Sequence, residues 1–72
     1  MQTTAREIAD RLNEYEATHT VPNHDIWNDV IRTLPEYDDE ATSKADPNYE
    51  SNIVVLTSGT RIEHREGEWV IA

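Results

Sequence analysis

The stretch Asn52-Ile53-Val54-Val55-Leu56-Thr57-Ser58-Gly59-Thr60-Arg61-Ile62-Glu63-His64-Arg65-Glu66-Gly67-Glu68-Trp69-Val70-Ile71-Ala72 decides the fold. Short apolar or alternating runs are broken at Ser58-Gly59 and Glu66-Gly67, and these are the only 2 glycines in the chain. Glycine reaches positive φ without steric cost, and two-residue loops are common in hairpins. The pattern predicts a three-stranded antiparallel meander over 52–57, 60–65 and 68–72. With two-residue loops at both breaks, Val55 faces Ile62, Ile53 faces His64, His64 faces Trp69 and Ile62 faces Ile71. Period-two alternation then puts Ile53, Val55, Ile62, His64, Trp69 and Ile71 on one face. Val54, Leu56 and Val70 become an apolar strip among the charges of the other. A bulged turn would shift one strand by a residue and exchange its faces.

Upstream, Thr4-Ala5-Arg6-Glu7 has the form of a capping box. Ala5, Ile8, Ala9, Leu12 and Tyr15 follow at helical spacing, which predicts a helix over 5–17. Val21-Pro22 breaks it. Asn23 suits an N-cap, and Ile26, Trp27, Val30, Ile31 and Leu34 form the apolar face of a second helix over 24–34, ended by Pro35. Residues 35–51 have little apolar periodicity and read as a long acidic loop with Tyr37 and Tyr49 packed on the body, leaving room for a short helical turn around Tyr37–Ser43. The expectation is one α+β domain: two N-terminal helices packed on one face of a C-terminal three-stranded antiparallel meander, in the order ααβββ. Its core comprises Ile8, Leu12, Tyr15, Ile26, Val30, Ile31, Leu34, Ile53, Val55, Ile62, Trp69 and Ile71, with Trp27 at the rim.

The 72 residues carry 15 Asp and Glu against 6 Lys and Arg, a formal charge of −9. Such a chain is soluble through self-repulsion and is a poor partner for phosphate backbones, which need Lys and Arg. The acidity has two readings: a solvated surface suited to high salt, or a negative surface presented to a basic partner. There is no cysteine, hence no disulfide and no thiolate metal site. No apolar run is long enough to span a bilayer, and Met1–Glu7 lacks the pattern of a secretory signal; a cytoplasmic protein is expected.

Chemical motifs are sparse. His19, His24 and His64 lack a recognised metal-ligand spacing. Ser43, Ser51 and Ser58 have no adjacent His, and Asp38-Asp39 share one polar environment rather than two contrasting ones. No enzyme, metal or cofactor is expected. The segment Thr4–Leu12 resembles the opening helix of helix-turn-helix modules, and two helices before a hairpin resemble a winged helix. That likeness implies DNA binding, but the second helix carries Asp25, Asp29 and Arg32, and Glu63, Glu66 and Glu68 surround Arg61 and Arg65.

The run Val54–Ile62 followed by Glu66-Gly67-Glu68-Trp69-Val70 is similar to the closing hairpins of small acidic accessory proteins of actinobacterial phages and mobile elements. The resemblance implies a module that acts on host machinery, including as an inhibitor. The expected partner is then a basic protein surface, such as the nucleic-acid-binding site of an enzyme or complex, met by Glu36, Asp38, Asp39, Glu40 and Asp46 of the loop with Glu63, Glu66 and Glu68 of the meander. Alternatives are a homo-oligomer joined through Val54, Leu56 and Val70 or through an outer strand of the sheet, and a winged-helix-like DNA-binding domain.

Overall fold

The structure is a computed structural model that describes residues 4–45 and 52–72. Its first helix, α1, spans Ala5–His19. The Thr4 hydroxyl accepts the Glu7 amide at 3.2 Å, the first half of the expected capping box. α1 runs two residues past the predicted end and closes on Thr20, whose φ of 45° lets its N–H reach the Glu16 carbonyl.

The second helix is shorter than the periodicity suggests. α2 covers Asn23–Asp29 and gives way through Val30 to a 3₁₀ turn, Ile31–Thr33. Pro35 forces the residue before it into extended geometry, and Leu34 has ψ 126°. Ile26, Trp27 and Ile31 nevertheless stay on one buried face. Asn23 does not cap this helix. Its carboxamide leaves the helix end and lies 3.0 Å from His64.

The acidic segment is not a plain loop. It carries a third helix, α3, at Asp39–Ala45. Asp38 caps it, its carboxylate accepting the Ala41 amide at 3.0 Å and its carbonyl the Thr42 amide at 3.0 Å. Asp39 and Glu40 then sit at the positive end of the helix dipole and Lys44 at the negative end, with Lys44 bonded to Glu40 at 2.9 Å. Tyr37 packs as expected, edge-on to Trp27 with ring centroids 5.4 Å apart. Tyr49 lies outside the described residues.

The meander is present as β1 (Ile53–Val55), β2 (Arg61–Arg65) and β3 (Glu68–Ile71), in spatial order β1-β2-β3 and antiparallel throughout. The second hairpin has the predicted register, His64 facing Trp69 and Arg65 facing Glu68. Glu66 and Gly67 both have positive φ, 53° and 80°, the signature of a type I′ turn. The first hairpin does not have the two-residue register. Val54, not Val55, faces Ile62. Its loop is Thr57-Ser58-Gly59: Leu56 N–H donates to the Thr60 carbonyl at 2.9 Å, Gly59 N–H to the Leu56 carbonyl at 2.8 Å, and Gly59 has φ 93°. The odd loop length exchanges the faces of β1.

The core changes accordingly. Val54 and Leu56 join Ile8, Ala9, Leu12, Ile26, Trp27, Ile31, Ile62 and Trp69 in one buried cluster. Trp27 is at its centre, not its rim, while Ile71 is 44% exposed. Tyr15, Val30 and Leu34 are partly buried against the cluster. Ile53 and Val55 face the other way and are buried even so. α3 packs on β1, so this strand is covered on both faces. A Val-rich run without alternation is how such a strand reads.

Both outer strands are tied down by polar groups. On the outer side of β1, Asp38 N–H donates to the Val55 carbonyl at 2.9 Å and Thr57 N–H to the Glu36 carbonyl at 2.7 Å, around a bridge between Tyr37 and Leu56. The fully buried Thr42 hydroxyl accepts the Val55 amide at 2.9 Å. On the outer side of β3, the Asn13 carboxamide accepts the Trp69 amide at 2.7 Å and donates to the Trp69 carbonyl at 3.0 Å. Asn13 thus stands in for a neighbouring strand at one residue.

Candidate protein-binding surface

Sheet order separates the predicted acidic site into two patches. Glu36, Asp38, Asp39 and Glu40 lie beside β1, on α3 and the segment leading into it. Glu63, Glu66 and Glu68 belong to the β2–β3 hairpin. With neighbouring strands about 4.8 Å apart, β1 and β3 are roughly 10 Å from each other across the sheet. Asp46 lies outside the described residues.

Several of these carboxylates already have work inside the chain. Asp38 caps α3. Asp39 accepts the Tyr37 hydroxyl at 2.7 Å. Glu36 is half-buried. Glu63 lies between Arg61, at 3.4 Å, and Arg65, at 2.7 Å, with 16% of its side chain exposed. Period two puts these three residues on one face of β2, so the central charge is neutralised by its own strand. Glu40, Glu66 and Glu68 remain exposed, as do Glu7, Asp10, Glu14 and Asp29 on the helices.

The apolar strip expected to join subunits is not a surface. The register shift places Val54 and Leu56 in the core, and only Val70 of the three is partly exposed.

His64 is the most connected titratable side chain. One ring nitrogen, Nε2, lies 3.1 Å from Glu16 of α1, and Nδ1 lies 3.0 Å from the Asn23 amide of α2. Trp69 packs edge-on against the ring at 4.9 Å. With both nitrogens engaged, the imidazole joins three elements and has no free lone pair for a substrate. His24 lies 3.2 Å from Asp25 and His19 stacks on Tyr15 at 4.0 Å. The Thr18 hydroxyl is 2.8 Å from His19 Nδ1, but it also bonds the Glu14 carbonyl at 2.9 Å at an exposed helix end. Among the described residues no group of three or more His, Cys, Asp or Glu could hold a metal, and no helix is long and apolar enough to cross a membrane.

Tyr15 links α1 to α2, its hydroxyl donating to Asp29 at 3.1 Å. Desolvation of the phenol, then the bond to Asp29 and the charges of Asp29 and Asp25, raise its pKa above the ordinary 10.0. The folded state therefore holds the phenolic proton more tightly than the unfolded chain. This contribution is complete below about pH 10 and is lost as pH rises through the raised value. Titration of the phenolate absorbance should show a late step that is absent in Tyr15→Phe; an unchanged curve would remove the Asp29 contact from solution.

A cleft between the first helix and the last strand was not foreseen. It has a volume of about 330 Å³, runs between α1 and β3, and is lined by Ala9, Asp10, Asn13, Glu68, Val70 and Ile71, with Arg6 beside them. Its residues come from two elements far apart in the chain and Ile71 is expected in the core, so no single run of sequence marks this site. A second, smaller cleft lies at the start of α1, lined by Glu36 and the hydroxyls of Thr4, Thr57, Ser58 and Thr60. Compared with known protein families, curated proteins and solved structures, the chain matches none.

Proposed function

We propose that this protein is a non-enzymatic binding module whose exposed carboxylates engage a basic surface of another protein. One observation carries the reading. Of the 6 cationic side chains, Arg6, Lys44, Arg61 and Arg65 are taken up by intramolecular pairs with Asp10, Glu40 and Glu63. Among the described residues, exposed Glu7, Glu14, Asp29, Asp39, Glu66 and Glu68 pair with no cation, and against the two unpaired cations Arg11 and Arg32 the surface is predominantly negative, which speeds encounter with a positive one. A nucleic-acid-binding site is the partner class that such a surface suits, and occupying it would make the module an inhibitor. The reading is the one that the resemblance of the hairpins to those of phage and mobile-element accessory proteins implies, and it places the protein in the cytoplasm.

Charge reversal tests it, with Asp38 and Glu63 spared for their structural contacts and circular dichroism used to check that α3 survives loss of the Asp39–Tyr37 and Glu40–Lys44 contacts. The partner is first captured from a lysate of the source cell, with and without competing DNA. Asp39→Lys with Glu40→Lys, and separately Glu66→Lys with Glu68→Lys, should then slow association and flatten its dependence on salt. Unchanged rates for both pairs would sink the acidic-surface reading. Displacement by DNA would identify the site as one that also holds nucleic acid.

A further inference from the structure

We infer that the cleft between α1 and β3 accepts an extended basic segment of a partner, which adds to the sheet beside Ile71. This rests on the binding-module reading and gives it a location away from α3.

The main-chain geometry is the first support. Ala72 N–H donates to the Arg61 carbonyl at 3.0 Å, toward β2, and Trp69 N–H points the other way, to Asn13. Ladder groups alternate, so the Ile71 N–H and C=O face outward on the same side as those of Trp69. Asn13 occupies the Trp69 pair. Nothing among the described residues occupies the Ile71 pair. The outer side of β1, by contrast, is already closed by residues 36–38 and Thr42. An unpaired donor and acceptor on one outer residue, beside an open cleft, is where a short strand can add.

Chemistry then selects the occupant. Ile71 is the one large hydrophobic side chain among the described residues that is exposed, and Ala9 and Val70 share its cleft. Asp10 and Glu68 also line it. Arg6 is 83% exposed and holds Asp10 only at 4.0 Å, a contact that an incoming cation can replace. Two carboxylates around an apolar seat fit a strand that alternates an aliphatic residue with Arg or Lys. They repel a second copy of this chain, whose net charge is −9.

The test uses three capped peptides of equal charge: one alternates arginine and valine, one is the same peptide N-methylated at alternate residues, and one is a flexible lysine–glycine chain. Binding is followed by amide chemical shifts of the whole protein. The alternating peptide should bind, with shifts at Asn13, Ile71 and Ala72, and N-methylation should weaken it because the ladder bonds are lost. Ile71→Pro removes an outward-facing donor, which an outer strand tolerates, together with the isoleucine side chain, and should weaken binding at least roughly three- to tenfold, the strength of one hydrogen bond or more. Ile71→Thr keeps the donor and should weaken it less; it also serves if the proline variant is unfolded. Equal binding of the methylated peptide, or shifts at α3 instead, would overturn the strand groove while leaving the acidic-surface reading in place. Binding of the lysine–glycine peptide alone would do the same. No binding by any of the three would overturn the strand groove, and the charge-reversal rates would then decide the acidic-surface reading.

Discussion

Val54→Asp should leave the protein unfolded at neutral pH, whereas Ile71→Asp should leave it folded. Val54 has no exposed surface and lies against Ile62 inside the main cluster; Ile71 is 44% exposed. Placing a carboxyl at a fully buried apolar site means either ionising it without water or holding it neutral against its natural pKa. Either route costs roughly 4–7 kcal/mol, judged by how far full burial displaces such groups. A domain of this size has about 4–11 kcal/mol of total stability, and with the lost burial of the valine, about 1.5–3 kcal/mol, added to the cost, the first substitution removes at least about half of it and up to all of it. The second gives up strand preference and partial burial, about 1 kcal/mol. The pair also tests the hairpin register, because two-residue loops at both turns predict the opposite ranking. Circular dichroism at rising urea reads the result. A folded Val54→Asp with an unfolded Ile71→Asp would restore the unshifted register.

The contrast between the two hairpins shows what was legible. Glu66-Gly67 follows a strand in which Arg61, Glu63 and Arg65 alternate with Ile62 and His64, so only one register puts Ile62 and Trp69 on the same side as the helices. The Thr57-Ser58-Gly59 loop has no such constraint. Gly59 serves equally as the second residue of a two-residue turn or as the left-handed third residue of a longer one. Ile53–Leu56 could not arbitrate, because four apolar residues in a row look the same on either face. The structure removes the ambiguity by burying both faces, one under α1 and α2 and the other under α3. Burial of Trp27 at the centre follows from that shift, since Leu56 and Tyr37 are brought to its side of the sheet. The acidic surface was legible as composition but not as geometry. Nothing in the order of residues says that Glu63 is neutralised while Glu68 is not, until alternation on β2 is combined with the strand order.

Thr42→Val should destabilise the protein by about 1–3 kcal/mol, and Thr42→Ser should recover most of that loss. The helix that contains Thr42 was hard to see because its inner face offers little hydrocarbon: buried Thr42 and half-buried Ala41 in place of the Leu or Ile that usually mark a buried stripe. What docks it is a hydroxyl. Thr42 Oγ1 accepts the Val55 amide at 2.9 Å and lies 3.4 Å from the Val55 carbonyl, at a residue with no exposure. Valine has nearly the same shape but cannot accept, so the Val55 amide would be left buried and unpaired, and that desolvation penalty sets the size of the effect. Serine keeps the acceptor and sacrifices one methyl, about 0.8 kcal/mol at most. The order wild type, Ser, Val in thermal stability therefore separates the hydrogen bond from packing; the reverse order of Ser and Val would show that the methyl matters more. The same substitution bears on binding. α3 displays Asp39 and Glu40, and Thr42→Val loosens the helix without touching either charge. If the partner meets α3, affinity should fall with the valine variant even where the protein remains folded. If the partner lies along β3, two strands away, affinity should hold. Measuring both quantities on one variant thus distinguishes the two acidic patches.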